Sequence, residues 1–153
     1  MEHAERTVWL IRHAKAADVE PGQKDIDRPL TRRGERQCIE MRDWLAGRIA
    51  EASRPTVLVS PALRTRRTAE LVLGGIADDR REAPQIWNAS AHALAALIEE
   101  GPGDLVLIGH NPGLEQVQSA LTGQLMPMPT GGMFELKFGD QGRILLAARF
   151  EPS

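Results

Sequence analysis

Val8-Trp9-Leu10-Ile11-Arg12-His13-Ala14-Lys15 is the stretch that decides how this chain folds. Four apolar residues run without alternation into an arginine and a histidine. An unbroken apolar run of this length reads as a strand buried on both faces. Arg12 and His13 then fall where the strand leaves the core. In an open parallel sheet, ligands bind outside the carboxyl ends of the strands. The same layout recurs at Asp104-Leu105-Val106-Leu107-Ile108-Gly109-His110, and a third strand, Thr56-Val57-Leu58-Val59-Ser60, runs into Pro61-Ala62-Leu63-Arg64. The remaining segments are expected to form the frame that brings His13, Arg12, Arg64 and His110 to one edge.

Working outward, residues 7 to 12 are the first strand. Residues 14 to 30 contain Pro21, Gly22 and Pro29 and have no periodicity, so they read as a long loop. Long loops are often functional, and this one follows His13 directly, which places it at the border of the site. Thr31 is an N-cap for a helix running to about Ala52, with Cys38, Met41, Trp44, Leu45 and Ile49 forming its apolar stripe. Ser60-Pro61 pairs an N-cap with a first-turn proline and predicts a helix to Leu73, stopped by Gly74-Gly75. A short strand is expected near Pro84 to Trp87. Ser90 caps a third helix whose Ala93, Leu94, Leu97 and Ile98 face inward. Asn111-Pro112 repeats the cap-plus-proline start, with Leu114, Val117 and Leu121 toward the sheet. Met133 to Phe138 and Arg143 to Arg149 form a hairpin around Gly139-Asp140-Gln141-Gly142. Strands alternating with helices predict an α/β class: a mainly parallel central sheet flanked by helices on both faces, with a C-terminal antiparallel hairpin.

At 153 residues the chain is expected to be a single domain, 1–153, with a real core. A net charge of −2 gives no general basic field to recruit nucleic acid. The single cysteine, Cys38, excludes an intrachain disulfide. No apolar run approaches the roughly 20 residues of a membrane span, and Met1 to Arg6 lacks the layout of a signal peptide. The expectation is a cytoplasmic monomer that needs no cofactor and contacts neither nucleic acid nor membrane. His3 and His92 read as surface residues.

The side chains at the strand ends suggest anion chemistry. A guanidinium presents a planar fork of donors suited to phosphate oxygens, and two of them, Arg12 and Arg64, could grip a phosphoryl group from different sides. Each is worth about 4 kcal/mol against a unit charge at about 4 Å and an effective dielectric near 20, before desolvation. A neutral imidazole is a good nucleophile if one nitrogen donates to a backbone carbonyl and the other stays bare. His13, beside Arg12, suits that role; His110 suits donation to the non-bridging oxygens. A histidine at a strand end is more often a packing or hydrogen-bonding residue than a catalyst, and an arginine in the first turns of a helix is usually just solvated. The combination of strand-end Arg-His, strand-end Gly-His and an Arg-bearing helix start weighs against that reading. Zinc is not expected, because there is neither a His-x-x-x-His pair nor a cysteine cluster.

Four blocks in order resemble the histidine phosphatase superfamily, in particular small phosphohistidine phosphatases of the SixA type. They are Leu10-Ile11-Arg12-His13-Ala14-Lys15, Asp27-Arg28-Pro29-Leu30-Thr31-Arg32-Arg33-Gly34, Ser60-Pro61-Ala62-Leu63-Arg64 through Thr68-Ala69-Glu70, and Gly109-His110-Asn111-Pro112-Gly113-Leu114-Glu115. The resemblance implies that His13 is the phosphorylated nucleophile, with Arg12, Arg64 and His110 completing the phosphate pocket. Ala14, Ala16 and Val19 stand where members acting on sugar phosphates usually carry Gly, Ser or Thr, and Asn. Larger members also place a general acid in a region that here is short, Trp87-Asn88-Ala89-Ser90, and has no carboxylate. Asp18 is the first candidate for the proton donor, ahead of Glu115 and Glu70. An alcohol leaving group, with a pKa near that of water at about 15.7, needs such a donor, whereas an imidazole, at about 6.5, needs far less. The expected activity is therefore a phosphohistidine phosphatase acting on a phosphorylated signalling or phosphocarrier protein, such as a histidine-phosphotransfer domain. The alternatives are a phosphomonoesterase for small metabolites and a non-catalytic domain binding phosphate or phosphoprotein.

Overall fold

The computed structural model describes residues 5–50 and 53–153. These form six strands and four α-helices. The strands are β1 (Arg6–Arg12), β2 (Thr56–Val59), β3 (Arg80–Glu82), β4 (Leu105–Gly109), β5 (Met133–Phe138) and β6 (Ile144–Phe150). They make one sheet in the order β3-β2-β4-β1-β5-β6. The pairs β3/β2, β2/β4 and β4/β1 are parallel; β1/β5 and β5/β6 are antiparallel.

The helices are α1 (Arg32–Ala46), α2 (Leu63–Leu73), α3 (Ala91–Glu99) and α4 (Gly113–Thr122). Because successive strand residues point to opposite faces, the apolar runs supply both layers at once. Trp9, Ile11, Val57, Val59, Val106 and Ile108 pack with Cys38, Met41 and Leu45 of α1 and Val72 and Leu73 of α2. Val8, Leu10, Leu105 and Leu107 pack with Leu94 and Ile98 of α3 and Leu114 and Val117 of α4. Truncating a fully buried member such as Leu107 to alanine costs about 2–5 kcal/mol at such a site. A polar clamp joins the layers at one side: buried Glu135 accepts from Trp9 Nε1 at 2.9 Å and from Arg48 Nε at 2.9 Å.

Register carries these elements to function. Arg12 of β1 lies opposite Gly109 of β4, and Ile108 of β4 opposite Val59 of β2. The residues just beyond, His13, His110 and Ser60, therefore emerge side by side at the carboxyl edge of the parallel strands.

Thr31 and Ser90 cap α1 and α3 as expected, accepting from Gly34 and Ala93. Other boundaries differ. Helix α1 ends at Ala46 rather than near Ala52, which itself lies outside the described residues. Ile49 keeps its inward place because a turn after Gly47 folds it back, its N–H bonded to the Leu45 carbonyl at 2.9 Å. Helix α2 starts at Leu63, so Ser60 does not cap it and Pro61 stands outside. Helix α4 starts at Gly113, with Pro112 outside it, yet Asn111 Oδ1 still accepts from Glu115 N at 3.2 Å. The strand expected at Pro84 to Trp87 is a 3-10 turn, Pro84–Ile86, held by the proline; β3 lies just before it. Strand β3 escapes a sequence reading because it is an exposed edge of charged residues with no apolar alternation. The hairpin is as expected to within a residue. His92 is exposed, and His3 lies outside the described residues. Among the described residues, no helix is long and apolar enough to cross a membrane.

One close approach fixes the segment after His13. A Cβ on Gly34 would run into the Lys15 carbonyl oxygen and sit 3.0 Å from Lys15 C and 3.1 Å from Lys15 N. That backbone is already held, since Lys15 N donates to Gln37 Oε1 and Lys15 O accepts from Thr31 N, both at 2.9 Å. Gly34→Ala is therefore expected to lower stability by about 1–3 kcal/mol, the usual range for overpacking. Urea unfolding is the check, and an unchanged midpoint would contradict this packing.

Candidate active site

His13 leaves β1 with its backbone still tied on both sides: its N–H donates to the Gly109 carbonyl at 3.3 Å and its carbonyl accepts from Gly131 N at 2.9 Å. Its ring is fixed as well, with Nδ1 2.8 Å from the Ala14 carbonyl oxygen. A carbonyl only accepts, so the proton sits on Nδ1 and Nε2 is left with a free lone pair. Burial pushes the imidazole down to about 3; the Ala14 carbonyl opposes this, while His110, Arg64 and Arg12 add to it. Near neutral pH this ring is uncharged.

His110 faces it, ring centroids 5.4 Å apart. Trp87 meets His110 edge-on at 5.2 Å and 85°, and Ser60 Oγ lies 2.7 Å from His110 Nε2. Burial also lowers His110, to about 4, helped by Arg64 and Arg12 and opposed by Asp25. Both histidines thus resist protonation when folded, and the sign follows. The unfolded chain takes up protons as pH falls through about 6.5, while the folded protein refuses them until about 4 and about 3. Stability contributed above pH 6.5 is lost as the pH drops toward 4, by roughly 1.4 kcal/mol per pH unit for each group. His13→Asn is expected to flatten this dependence in unfolding experiments between pH 4.5 and 7; an equal slope in both proteins would contradict the burial of a neutral ring.

Arg64, in the first turn of α2, is 6% exposed. Its Nη1 donates to the Asp25 carbonyl at 2.8 Å and its Nη2 to Asp25 Oδ2 at 3.2 Å, with its guanidinium 5.4 Å from the Trp87 ring centre. Arg12 donates from Nη1 to the Met128 carbonyl at 2.9 Å. Asn111 Nδ2 donates to that same carbonyl at 2.9 Å and to Glu115 Oε2 at 2.8 Å, and Met128 N donates to Glu115 Oε2 at 2.8 Å. The Glu115 carboxylate therefore secures the loop on which Arg12 rests.

Three buried nitrogens of this cluster have no hydrogen-bond partner: Arg12 Nε, Arg64 Nε and His110 Nδ1. A buried polar group left unpaired costs about 1–3 kcal/mol, so an anion that accepts from them recovers that penalty. The cluster can thus bind an oxyanion with guanidinium and imidazole N–H groups while offering it a bare imidazole nitrogen.

The expected residues divide cleanly. His13, Arg12, Arg64 and His110 come together. Asp18 does not join them: it is exposed in the loop and shares no hydrogen bond or ion pair with any of the four. Glu70 is on the exposed side of α2, paired with Arg67 at 3.1 Å. The carboxylate that does reach the cluster is Asp25. Burial alone would raise its pKa, but the hydrogen bonds and charges of Arg28 and Arg64 outweigh this and hold it below the usual carboxylate range. Asp25 carried no signal of its own in an aperiodic loop, whereas Ser60 could have been found as the one hydroxyl at the strand end level with Arg12. Among the described residues, no three His, Cys, Asp or Glu side chains gather in a way that could hold a metal ion.

Comparison with known proteins agrees with this geometry. Residues 8–89 match the pattern of the histidine phosphatase superfamily, branch 1. The chain is 32% identical over 135 residues to the phosphohistidine phosphatase SixA of Escherichia coli K12, covering 83% of this chain and 78% of that one. Among solved structures, an Agrobacterium tumefaciens protein assigned as phosphohistidine phosphatase SixA superposes with a TM-score of 0.84 at 29% identity, covering 96% of this chain and 98% of that one. The protein histidine phosphatase SixA complexed with tungstate gives a TM-score of 0.80 at 26% identity, with 95% and 97% covered.

Proposed function

Because the chain belongs to the histidine phosphatase superfamily, we propose that it is a metal-independent phosphohistidine phosphatase, taking a phosphoryl group from a phosphorylated protein onto His13 and passing it to water. The observation that carries this reading is the set of unpartnered buried nitrogens on Arg12, Arg64 and His110 around a neutral His13. An oxyanion is the kind of acceptor that such guanidinium donors take. The tungstate bound to a similar protein is such an ion.

In the first step His13 Nε2 attacks phosphorus, and the bond from phosphorus to the substrate nitrogen breaks. In the second, water attacks the phosphorylated His13; the phosphorus–Nε2 bond breaks, and phosphate leaves with the water oxygen. Arg12 and Arg64 hold the non-bridging oxygens through both steps, as preorganised donors. Splitting the displacement lowers the barrier of each half.

The carboxylates nearby bear on the substrate. Asp25 is held ionised by Arg28 and Arg64, and Glu115 is occupied by Met128 N and Asn111. Asp25 is therefore not a protonated acid poised for an alkoxide, and Glu115 is engaged with the loop that carries Met128. A phosphoimidazole protonated on its second ring nitrogen leaves as neutral imidazole, the conjugate base of an imidazolium of pKa about 6.5, and so has little need of such an acid. The site therefore favours a phosphoramidate over an alkyl phosphate. Relative kcat/KM on a protein phosphohistidine and on a sugar phosphate tests this: the expected ratio is about 100-fold or more in favour of phosphohistidine, the range of general acid catalysis forgone. Equal rates, or a preference for the sugar phosphate, would point instead to a metabolite phosphatase.

A further inference from the structure

We propose that Ser60 is a positioning residue for this reaction: its hydroxyl fixes the tautomer of His110 so that Nδ1–H is the face turned to the phosphoryl oxygens. The inference rests on the reading of the pocket given above and assigns to Ser60 a role beyond it.

Ser60 is fully buried, so water does not complete its hydrogen bonding. A serine hydroxyl has one proton to give and two lone pairs. Around Ser60 Oγ stand the backbone N–H of Ala62 at 3.4 Å and His110 Nε2 at 2.7 Å. The Ala62 N–H only donates, so it takes one lone pair of Oγ. If His110 also donated from Nε2, the hydroxyl proton would face no acceptor in a buried site. The arrangement that satisfies every atom has Ser60 O–H donating to Nε2. In a neutral imidazole one nitrogen accepts and the other carries the proton, so the proton is on Nδ1. That nitrogen is the buried one with no partner in the protein.

The scaffold keeps this relay rigid. Ser60 N donates to the Ile108 carbonyl at 3.1 Å, and the Ser60 carbonyl accepts from Thr65 Oγ1 at 2.9 Å, which ties the residue between β4 and α2. Trp87, edge-on to the ring, limits its rotation. Without the hydroxyl, Nε2–H becomes the competing tautomer and Nδ1 turns a lone pair toward an anion. His13 and His110 are thus set in the same tautomer by different partners, an accepting carbonyl on Nδ1 in one case and a donating hydroxyl on Nε2 in the other, with opposite results: a bare nitrogen offered to phosphorus by His13, a donor offered to its oxygens by His110.

The test is nitrogen-15 NMR of the imidazoles in the whole chain, together with kinetics of Ser60→Ala on protein whose circular dichroism spectrum matches the wild type. Wild-type His110 is expected to be Nδ1-protonated at neutral pH. Ser60→Ala is expected to show a mixed or Nε2–H tautomer and a kcat/KM about 10- to 100-fold lower, somewhat less than deletion of an oxyanion donor itself. A wild-type His110 protonated on Nε2, a Ser60→Ala variant of unchanged rate, or one slowed with its tautomer unmoved would each overturn the inference. Trapping of phosphate on His13 in the wild type separates the two levels. If His13 is phosphorylated and any of these three results is obtained, only the role of Ser60 falls; if His13 is never phosphorylated, the reading beneath it falls too.

Discussion

His13→Ala is expected to abolish turnover, with a loss of at least about 1,000-fold on any substrate the wild type hydrolyses, while the protein still binds inorganic phosphate. The asymmetry follows from the geometry. In the proposed mechanism the nucleophile is a single atom, Nε2, made available because Nδ1 is committed to the Ala14 carbonyl. His110 does not replace it, since its Nε2 faces Ser60. Removing the nucleophile of a covalent mechanism leaves only what binding and charge stabilisation supply. The anion contacts of the proposed pocket come from Arg12, Arg64 and His110, which alanine at 13 leaves standing. Steady-state rates and phosphate titration, on protein with a wild-type circular dichroism spectrum, check both halves. A variant within a few-fold of the wild-type rate would remove His13 from the chemistry.

Arg64→Ala is expected to cost about 100- to 1,000-fold in kcat/KM, or about 2.7–4 kcal/mol, the range for losing one preorganised donor to developing charge. It should raise KM as well as lower kcat, because in the proposed mechanism the guanidinium holds the phosphoryl group throughout. A second effect compounds the first. Arg64 neutralises Asp25 by binding both its carbonyl and its carboxylate. Without the guanidinium, that carboxylate confronts the substrate's own negative charge. Asp25→Asn placed on top of Arg64→Ala is therefore expected to regain part of the loss, and Arg64→Lys to regain little, because an ammonium lacks the fork that serves Asp25 and an anion together. Kinetics of the single and double variants decide this. A double variant no better than Arg64→Ala would mean that Asp25 does not face the bound phosphoryl group.

Much of this was legible in the chain because one physical pattern recurs. A strand buried on both faces must be apolar along its whole length, so the first polar residues after it mark where it emerges. Arg12-His13 and Gly109-His110 stood out for that reason, and parallel register then placed them side by side. Caps were readable where a hydroxyl precedes a helix directly, as at Thr31 and Ser90. They misled where a competing partner existed: Ser60 gives its hydroxyl to His110 instead of to α2. Strand β3 was hidden because an exposed edge needs no apolar residues. Asp25 was hidden because it reaches Arg64 only through the path of an aperiodic loop across 39 residues of sequence separation. Asp18 was favoured for its nearness to His13 along the chain, and nearness in sequence within a loop does not fix where a side chain points.

The most direct test of the account is to quench the enzyme during turnover of a phosphohistidine protein labelled with radioactive phosphate and to map the label. The account predicts phosphate on His13, stable to base and labile to acid, appearing and decaying at rates that support kcat. Label on His110, label on no residue of the chain under conditions where product accumulates, or label unchanged in His13→Ala would contradict it.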